Sequence, residues 1–271
     1  MTPAVPEFAE LQAPQHWGTV DFISDLHLCE SQPATFAAWQ RYMQSTTADA
    51  VFILGDLFEI WVGDDVVRHD LSGQSSSLNF EERCALVLQA AGKRLSLFLM
   101  HGNRDFLIGS KLMKTFNATL LADPTVLTFL TSLQKQRYLL SHGDMLCLAD
   151  TRYLAFREIV RQPSWQQEQL AKPLAERQEL GRQMRLQSQE NQHNQRADLI
   201  YADVDDGAAT EWLLTANAST LIHGHTHKPA HHALGPHLSR VVLTDWDLLA
   251  TPARAEVLRL TINGLQRISL N

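Results

Sequence analysis

Several short apolar runs along the chain stop abruptly at clusters of polar, chemistry-bearing residues. Thr19-Val20-Asp21-Phe22-Ile23-Ser24 runs into Asp25-Leu26-His27, and Ala50-Val51-Phe52-Ile53-Leu54 into Gly55-Asp56. Leu95 to Met100 leads to His101-Gly102-Asn103-Arg104-Asp105, a run over 136–141 leads to His142, and Ser219 to Ile222 leads to His223-Gly224-His225-Thr226-His227. Near-continuous apolar runs of this length predict strands of a sheet buried on both faces. Helical patterns alternate with them, over Pro33 to Ser45, over Asn79 to Ala91 with Asn79 as cap and Gly92 as stop, and over Gly207 to Asn217. Further strands are expected near 125–130, 239–244, 255–260 and 264–269, and 64–78 reads as a loop. The alternation predicts an α/β fold.

Residues 150–196 depart from this pattern. Apolar residues recur there at helical spacing, and Arg and Lys outnumber acids. This predicts a helical insertion broken near Pro163 and Pro173. Residues 1–17 contain Pro3, Pro6 and Pro14 and no Lys or Arg, so a flexible leader is expected instead of a signal peptide.

The chain has 271 residues and is 45% hydrophobic, enough for one large α/β domain with an inserted piece. A net charge of −7 argues against broad nucleic-acid binding. Cys29, Cys84 and Cys147 show no metal or redox spacing and are expected to be reduced thiols, as in the cytoplasm. No apolar run approaches the length that spans a bilayer.

The polar clusters change the picture most. In open α/β sheets, ligands bind beyond the carboxyl ends of the strands. Asp25, His27, Asp56, Asn103, His142, His223 and His225 would converge there. Nitrogen and oxygen donors without thiolate suit two borderline or hard divalent ions, with Mn²⁺ favoured and Zn²⁺ or Fe²⁺ open. Asp56, alone on its strand, is the expected bridge. In an extended chain His223, His225 and His227 would share a face. Two ions about 3.5–4 Å apart suit hydrolysis of a phosphoester or phosphoanhydride.

Asp25-Leu26-His27, Gly55-Asp56, Gly102-Asn103-Arg104-Asp105, His142 and Gly224-His225-Thr226-His227 resemble the blocks of the calcineurin-like metallophosphoesterases. The resemblance implies a four-layered α/β/β/α sandwich over residues 18–271, with the insertion at about 150–196 as a helical substrate-binding cap. It implies one ion on Asp25, His27, Asp56 and His225, and a second on Asp56, Asn103, His142 and His223. His227 is left a supporting role. Most members place His where this chain has Arg104. A guanidinium is a poor proton donor but a good phosphate clamp, which suits a diphosphate substrate.

Arg104 and the surrounding words narrow the likeness to a branch that cleaves UDP-2,3-diacylglucosamine to UMP and lipid X in lipid A synthesis. That branch uses Mn²⁺ at the cytoplasmic face of the inner membrane, and its water attacks the α-phosphate. The resemblance gives catalytic roles to Asp56, Asn103, Arg104, His142 and His223. It gives substrate contacts to Asn103, Arg104, His223, Asp150, Tyr153 and Ser188. Asn194 and Arg196 stand nearest to two further family contacts whose local spacing differs here. The basic, apolar-faced cap is expected to take acyl chains and to rest on anionic lipid, and a monomer is expected. A phosphodiesterase of soluble nucleotides and a non-catalytic binding module are the alternatives.

Overall fold

The computed structural model describes residues 5–67, 78–132, 134–195 and 203–270, with the side chains of 187–195 outside that description. Its central layers are two six-stranded sheets. In the first, β2 (Thr19–Ile23), β3 (Ala50–Leu54), β4 (Ser96–Met100) and β5 (Ala118–Leu121) run parallel. Antiparallel β11 (Glu256–Thr261) and β12 (Gly264–Ser269) extend it beyond β2. The second has the order β1 (Ala9–Gln12), β6 (Thr125–Leu130), β7 (Lys135–Leu140), β8 (Thr220–His223), β10 (Leu238–Val242), β9 (Ala230–Gly235).

Alternation along each strand builds the layers. Phe52 and Leu54 of β3 meet Leu127, Tyr138, Leu140 and Ile222 of the other sheet in the middle core. Val51 and Ile53 point the other way, onto α1 (Pro33–Ser45) and α2 (Phe80–Gly92). On the far side, Val126, Leu139 and Leu221 pack on Ala209, Trp212 and Leu213 of α7 (Asp206–Thr215). Both faces of both sheets are covered, which is why the strands read as unbroken apolar runs. This is the expected four-layered α/β/β/α sandwich.

Local signals hold where they rest on capping chemistry. Pro33 opens α1, where its missing N–H costs nothing. The Asn79 side chain accepts from Glu82 N at 2.8 Å while Glu82 Oε2 accepts from Asn79 N at 2.9 Å, a reciprocal cap on α2. The expected flexible leader is corrected in part. Ala9–Gln12 forms β1, parallel to β6, with Leu11 on the middle core and Glu10 paired to Arg137 at 2.7 Å. Three of its four residues are exposed, so this edge strand has no apolar alternation to reveal it. β5, β9 and α3 (Ser110–Thr115) also lie outside the sequence-based expectations.

The insertion folds as α4 (Thr151–Val160), α5 (Pro163–Leu170) and α6 (Leu174–Gln195). Pro163 and Pro173 mark its breaks, each at the start of a helix. Among the described residues, no helix is long and apolar enough to cross a membrane.

Candidate metal centre

The carboxyl ends of β2, β3, β4, β7 and β8 meet at one edge of the sandwich. The loops that leave them are bonded to one another. The Asp25 carboxylate accepts from His225 N at 2.9 Å and from Ser24 Oγ at 2.5 Å. Asp56 Oδ1 accepts from Arg104 N at 2.8 Å, and His142 Nδ1 lies 3.0 Å from Leu54 O. Asp105 accepts from Gly102 N and Leu57 N, both at 2.8 Å, and so ties two loops together as a supporting residue. A Cβ on Gly102 would collide with Asp56, and one on Gly224 with Asp25 and Ser24. Both glycines are therefore required for the close approach of the loops.

Asp25, His27, Asp56, His225 and His227 all hold left-handed backbone, with φ of 53°, 47°, 53°, 68° and 53°. Such strain in non-glycine residues persists where the surroundings over-determine it, and it clusters at functional sites.

Two sets of ligand atoms result. In the first, His27 Nε2 and His227 Nε2 face each other at 3.1 Å, and Asp25 Oδ1 lies 3.4 Å from His227 Nε2. In the second, Asn103 Oδ1 lies 3.0 Å from His142 Nε2 and 2.9 Å from His225 Nδ1. Asp56 stands between the sets. Its Oδ2 is 3.9 Å from His27 Nε2 and 3.8 Å from His142 Nε2.

The residues fit divalent cations. Carboxylate, amide and imidazole atoms converge at both sets. With the Asn103 amide turned over, its nitrogen would donate to both imidazoles and to Asp56 Oδ2 at 3.1 Å. One orientation thus suits a bound ion and the other a metal-free site. Nitrogen and oxygen donors without thiolate suit borderline or hard ions. On the first set, His27 Nδ1 lies 3.1 Å from a Glu59 oxygen, and His227 meets Asp25 through Nε2.

The histidines that follow β8 take different partners. His227 lies beside Asp25 and His27, and His225 faces Asn103 and His142. His223, the last residue of β8, is fully buried, with Nδ1 2.9 Å from the Gly224 carbonyl. Its Nε2 is buried with no hydrogen-bond partner among the described residues, as a lone pair kept for a bound ion would be. Left-handed turns at residues 225 and 227 end the period-two face of the strand.

Electrostatics separate the ligands. Burial drives His27 and His225 down to about 4, so both rings are neutral lone-pair donors at neutral pH. Burial would also lower His142, but the carboxylates of Asp56, Asp144 and Asp25 hold it up at about 9. Burial would raise Asp25, yet its bond to His227 and the nearby imidazoles keep it well below the usual carboxylate range. Burial and the Asp56 charge push Asp105 up to about 6.

A cleft of about 490 Å³ opens from the second set towards the cap. Its lining joins the polar Asn103, Arg104 and His225 with the apolar Phe156, Trp165, Leu180 and Met184 of the cap. Asp150 and Tyr153 lie on its wall, and both have structural bonds. Asp150 Oδ1 caps α4 by accepting from Tyr153 N at 3.0 Å, and the Tyr153 hydroxyl donates to Asp144. Ser188 and Asn194 have side chains outside the described set, and Arg196 lies outside the described residues altogether.

Four of the cap's basic residues turn inward, which the sequence did not reveal, while Arg152 and Arg182 stay exposed. Arg157 Nε donates to Asp144 at 2.8 Å, and Arg161 to Gly102 O at 2.8 Å. Arg177 pairs with Asp65 and Arg185 with Glu59. Apolar Ile159, Leu170 and Leu186 are the exposed large side chains of the three helices.

Residues 18–229 match the family described as calcineurin-like phosphoesterase. The chain is 40% identical over 230 residues to a UDP-2,3-diacylglucosamine hydrolase of Aromatoleum aromaticum, covering 83% of this chain and 88% of that one. It is 42% identical over 234 residues to one of Chromobacterium violaceum, covering 84% and 90%. It is 38% identical over 259 residues to one of Bordetella pertussis, covering 93% and 95%. With this fold, these strand-end ligands and these relatives, the chain belongs to the calcineurin-like phosphoesterase family, in the branch of the UDP-2,3-diacylglucosamine hydrolases.

Proposed function

We propose that the chain hydrolyses the diphosphate of UDP-2,3-diacylglucosamine, with water attacking the α-phosphate to give UMP and lipid X. The observation that carries this reading is the continuous cleft, polar and ligand-rich at Asn103, Arg104 and His225, and apolar under the cap at Phe156, Trp165 and Met184. A substrate with a diphosphate at one end and acyl chains at the other matches both halves. A small soluble nucleotide has no use for the apolar half.

The ions, Mn²⁺ in this reading, would be held by Asp25, His27, Asp56, Asn103, His142, His223 and His225, with His227 beside Asp25 and His27. Bound there, the pair supplies Lewis acidity and a nucleophile at neutral pH. The protein does the rest by position and charge. Asp56 joins the two sets through one carboxylate. Arg104, beside Asn103 on the cleft wall, places a permanent positive charge where the phosphates enter. A phosphate leaving group needs little protonation, so a guanidinium serves here where an alkoxide would need an acid. Apolar walls exclude water from the acyl end and fix the diphosphate against the ligand sets.

Exposed Ile159, Leu170 and Leu186 on the cap support contact with the membrane that holds such a substrate. Arg157, Arg161, Arg177 and Arg185 are engaged with the sandwich, which leaves Arg152 and Arg182 as exposed basic charge on the cap.

The test incubates purified protein and Mn²⁺ with UDP-2,3-diacylglucosamine and, in parallel, with an acyl-free UDP-sugar. UMP and lipid X are expected from the first at much the higher rate. Metal-loaded protein that releases no UMP, or that turns over both equally, refutes the reading. Asn103→Ala is expected to lose metal and activity, and Arg104→Ala to keep metal and lose about 100-fold in activity, the scale of a charge-assisted phosphate contact.

A further inference from the structure

Glu59 sits where the metal-bearing loops and the cap touch. It comes three residues after Asp56 on the loop beyond β3, and its N–H donates to Leu28 O at 3.2 Å, stitching that loop to the one carrying His27. Oε2 lies 3.1 Å from His27 Nδ1. Oε1 contacts Nε of Arg185, which reaches down from α6. The Glu59 side chain is only 13% exposed and that of Arg185 28%, so both contacts are shielded from water. His27 Nε2 faces the opposite way, towards His227 and Asp56.

We propose that Glu59 is a positioning residue that couples seating of the cap to retention of the ion held by His27. The inference rests on the two-ion reading of the site. An imidazole that gives a lone pair through Nε2 carries its proton on Nδ1, and a carboxylate beside Nδ1 fixes both the tautomer and the ring plane. Arg185 alone would satisfy a merely structural carboxylate. Here the second oxygen is aimed at a ligand ring, while Arg185 keeps the carboxylate from swinging into the cleft. Removing Arg185 therefore weakens an ion that Arg185 does not touch. By reciprocity, binding of that ion favours the seated cap.

The test titrates metal-free protein with Mn²⁺ by calorimetry. Two ions on the wild-type protein check the underlying reading; any other stoichiometry defeats that reading and not the coupling. Glu59→Ala is expected to weaken one of the two steps by about 10–100-fold and leave the other unchanged. Arg185→Ala is expected to weaken the same step, and the double variant to bind no worse than Glu59→Ala alone. Glu59→Gln, which keeps an acceptor for Nδ1 but not the charge for Arg185, is expected to weaken that step no more than Arg185→Ala does. Wild-type affinity in Glu59→Ala, or additive losses in the double variant, overturns the proposal. Should Glu59→Ala fail to fold, wild-type affinity in Arg185→Ala overturns it alone.

Discussion

At the strand ends, buried carboxylates and imidazoles sit on left-handed backbone, each loop bonded to its neighbour. Across the cleft, the cap is three regular helices whose inner face is apolar and whose arginines grip the loops opposite. The first region has almost no freedom. Shifting Gly102 or Gly224 by one Cβ would drive a carboxylate out of place. The second is held by a few ion pairs and by apolar contacts such as Phe106 against Trp165, with ring centroids 6.1 Å apart. The difference assigns chemistry to the rigid side and choice of substrate to the adaptable one. It also means that the two sides should fail differently when altered.

The largest effect is expected from Asp56→Ala. Asp56 stands within 4 Å of an imidazole in each ligand set, so its loss should empty both. Activity should fall by about 10³-fold or more, the several kcal/mol that ion-based charge stabilisation supplies. Metal analysis with UMP release checks this. Retention of one full equivalent of metal would show that the carboxylate does not bridge.

The next tests the histidine ligands. His223→Ala and His225→Ala are each expected to lose about 100-fold in affinity for one ion, and His227→Ala less. Unchanged metal affinity in His223→Ala would remove that residue from the ligand set. The sequence made the strand ends legible because apolar runs and the polar residues after them are local features, and Asp25, His27, Asp56, Asn103 and His142 all lie where those features put them. Beyond a strand end, the path of the chain is set by tertiary contact. Left-handed turns at His225 and His227 end the period-two alternation, so that His227 comes to lie beside His27 and Asp25. The cap's arginines were legible as charge but not as direction, because their partners Asp144, Asp65, Glu59 and the Gly102 carbonyl are far away along the chain. Edge strand β1 was hidden for the opposite reason, since three of its four residues meet solvent and carry no pattern.

A smaller change on the cap sharpens the contrast. Trp165→Ala removes part of the apolar wall and is expected to raise KM for the acylated substrate by about 30-fold, equivalent to about 2 kcal/mol of apolar contact. Metal content should be unchanged, kcat should stay within about twofold, and an acyl-free UDP-sugar should be unaffected. A fall in kcat as large as the rise in KM would show that the cap also takes part in the chemical step.

The smallest effect separates the two regions by pH. In the metal-free protein His142 titrates at about 9, because the carboxylates of Asp56, Asp144 and Asp25 outweigh the effect of its burial. An ion at Asn103 and His142 needs the neutral ring, so below pH 9 its uptake must expel a proton. Observed affinity therefore rises with pH, by about tenfold per unit, and levels off above about 9. His27 and His225, at about 4, are already neutral and add no slope in this range. His227 adds a further contribution, since its bond to Asp25 raises it despite burial. The cap arginines do not titrate there, so the acyl contribution to KM should be flat. Calorimetry in buffers of differing ionisation enthalpy should count at least one proton released at pH 7.5 and none at pH 10. No release at pH 7.5 would mean that His142 is neutral before the ion arrives, and that the buried carboxylates around it share protons instead of standing fully charged.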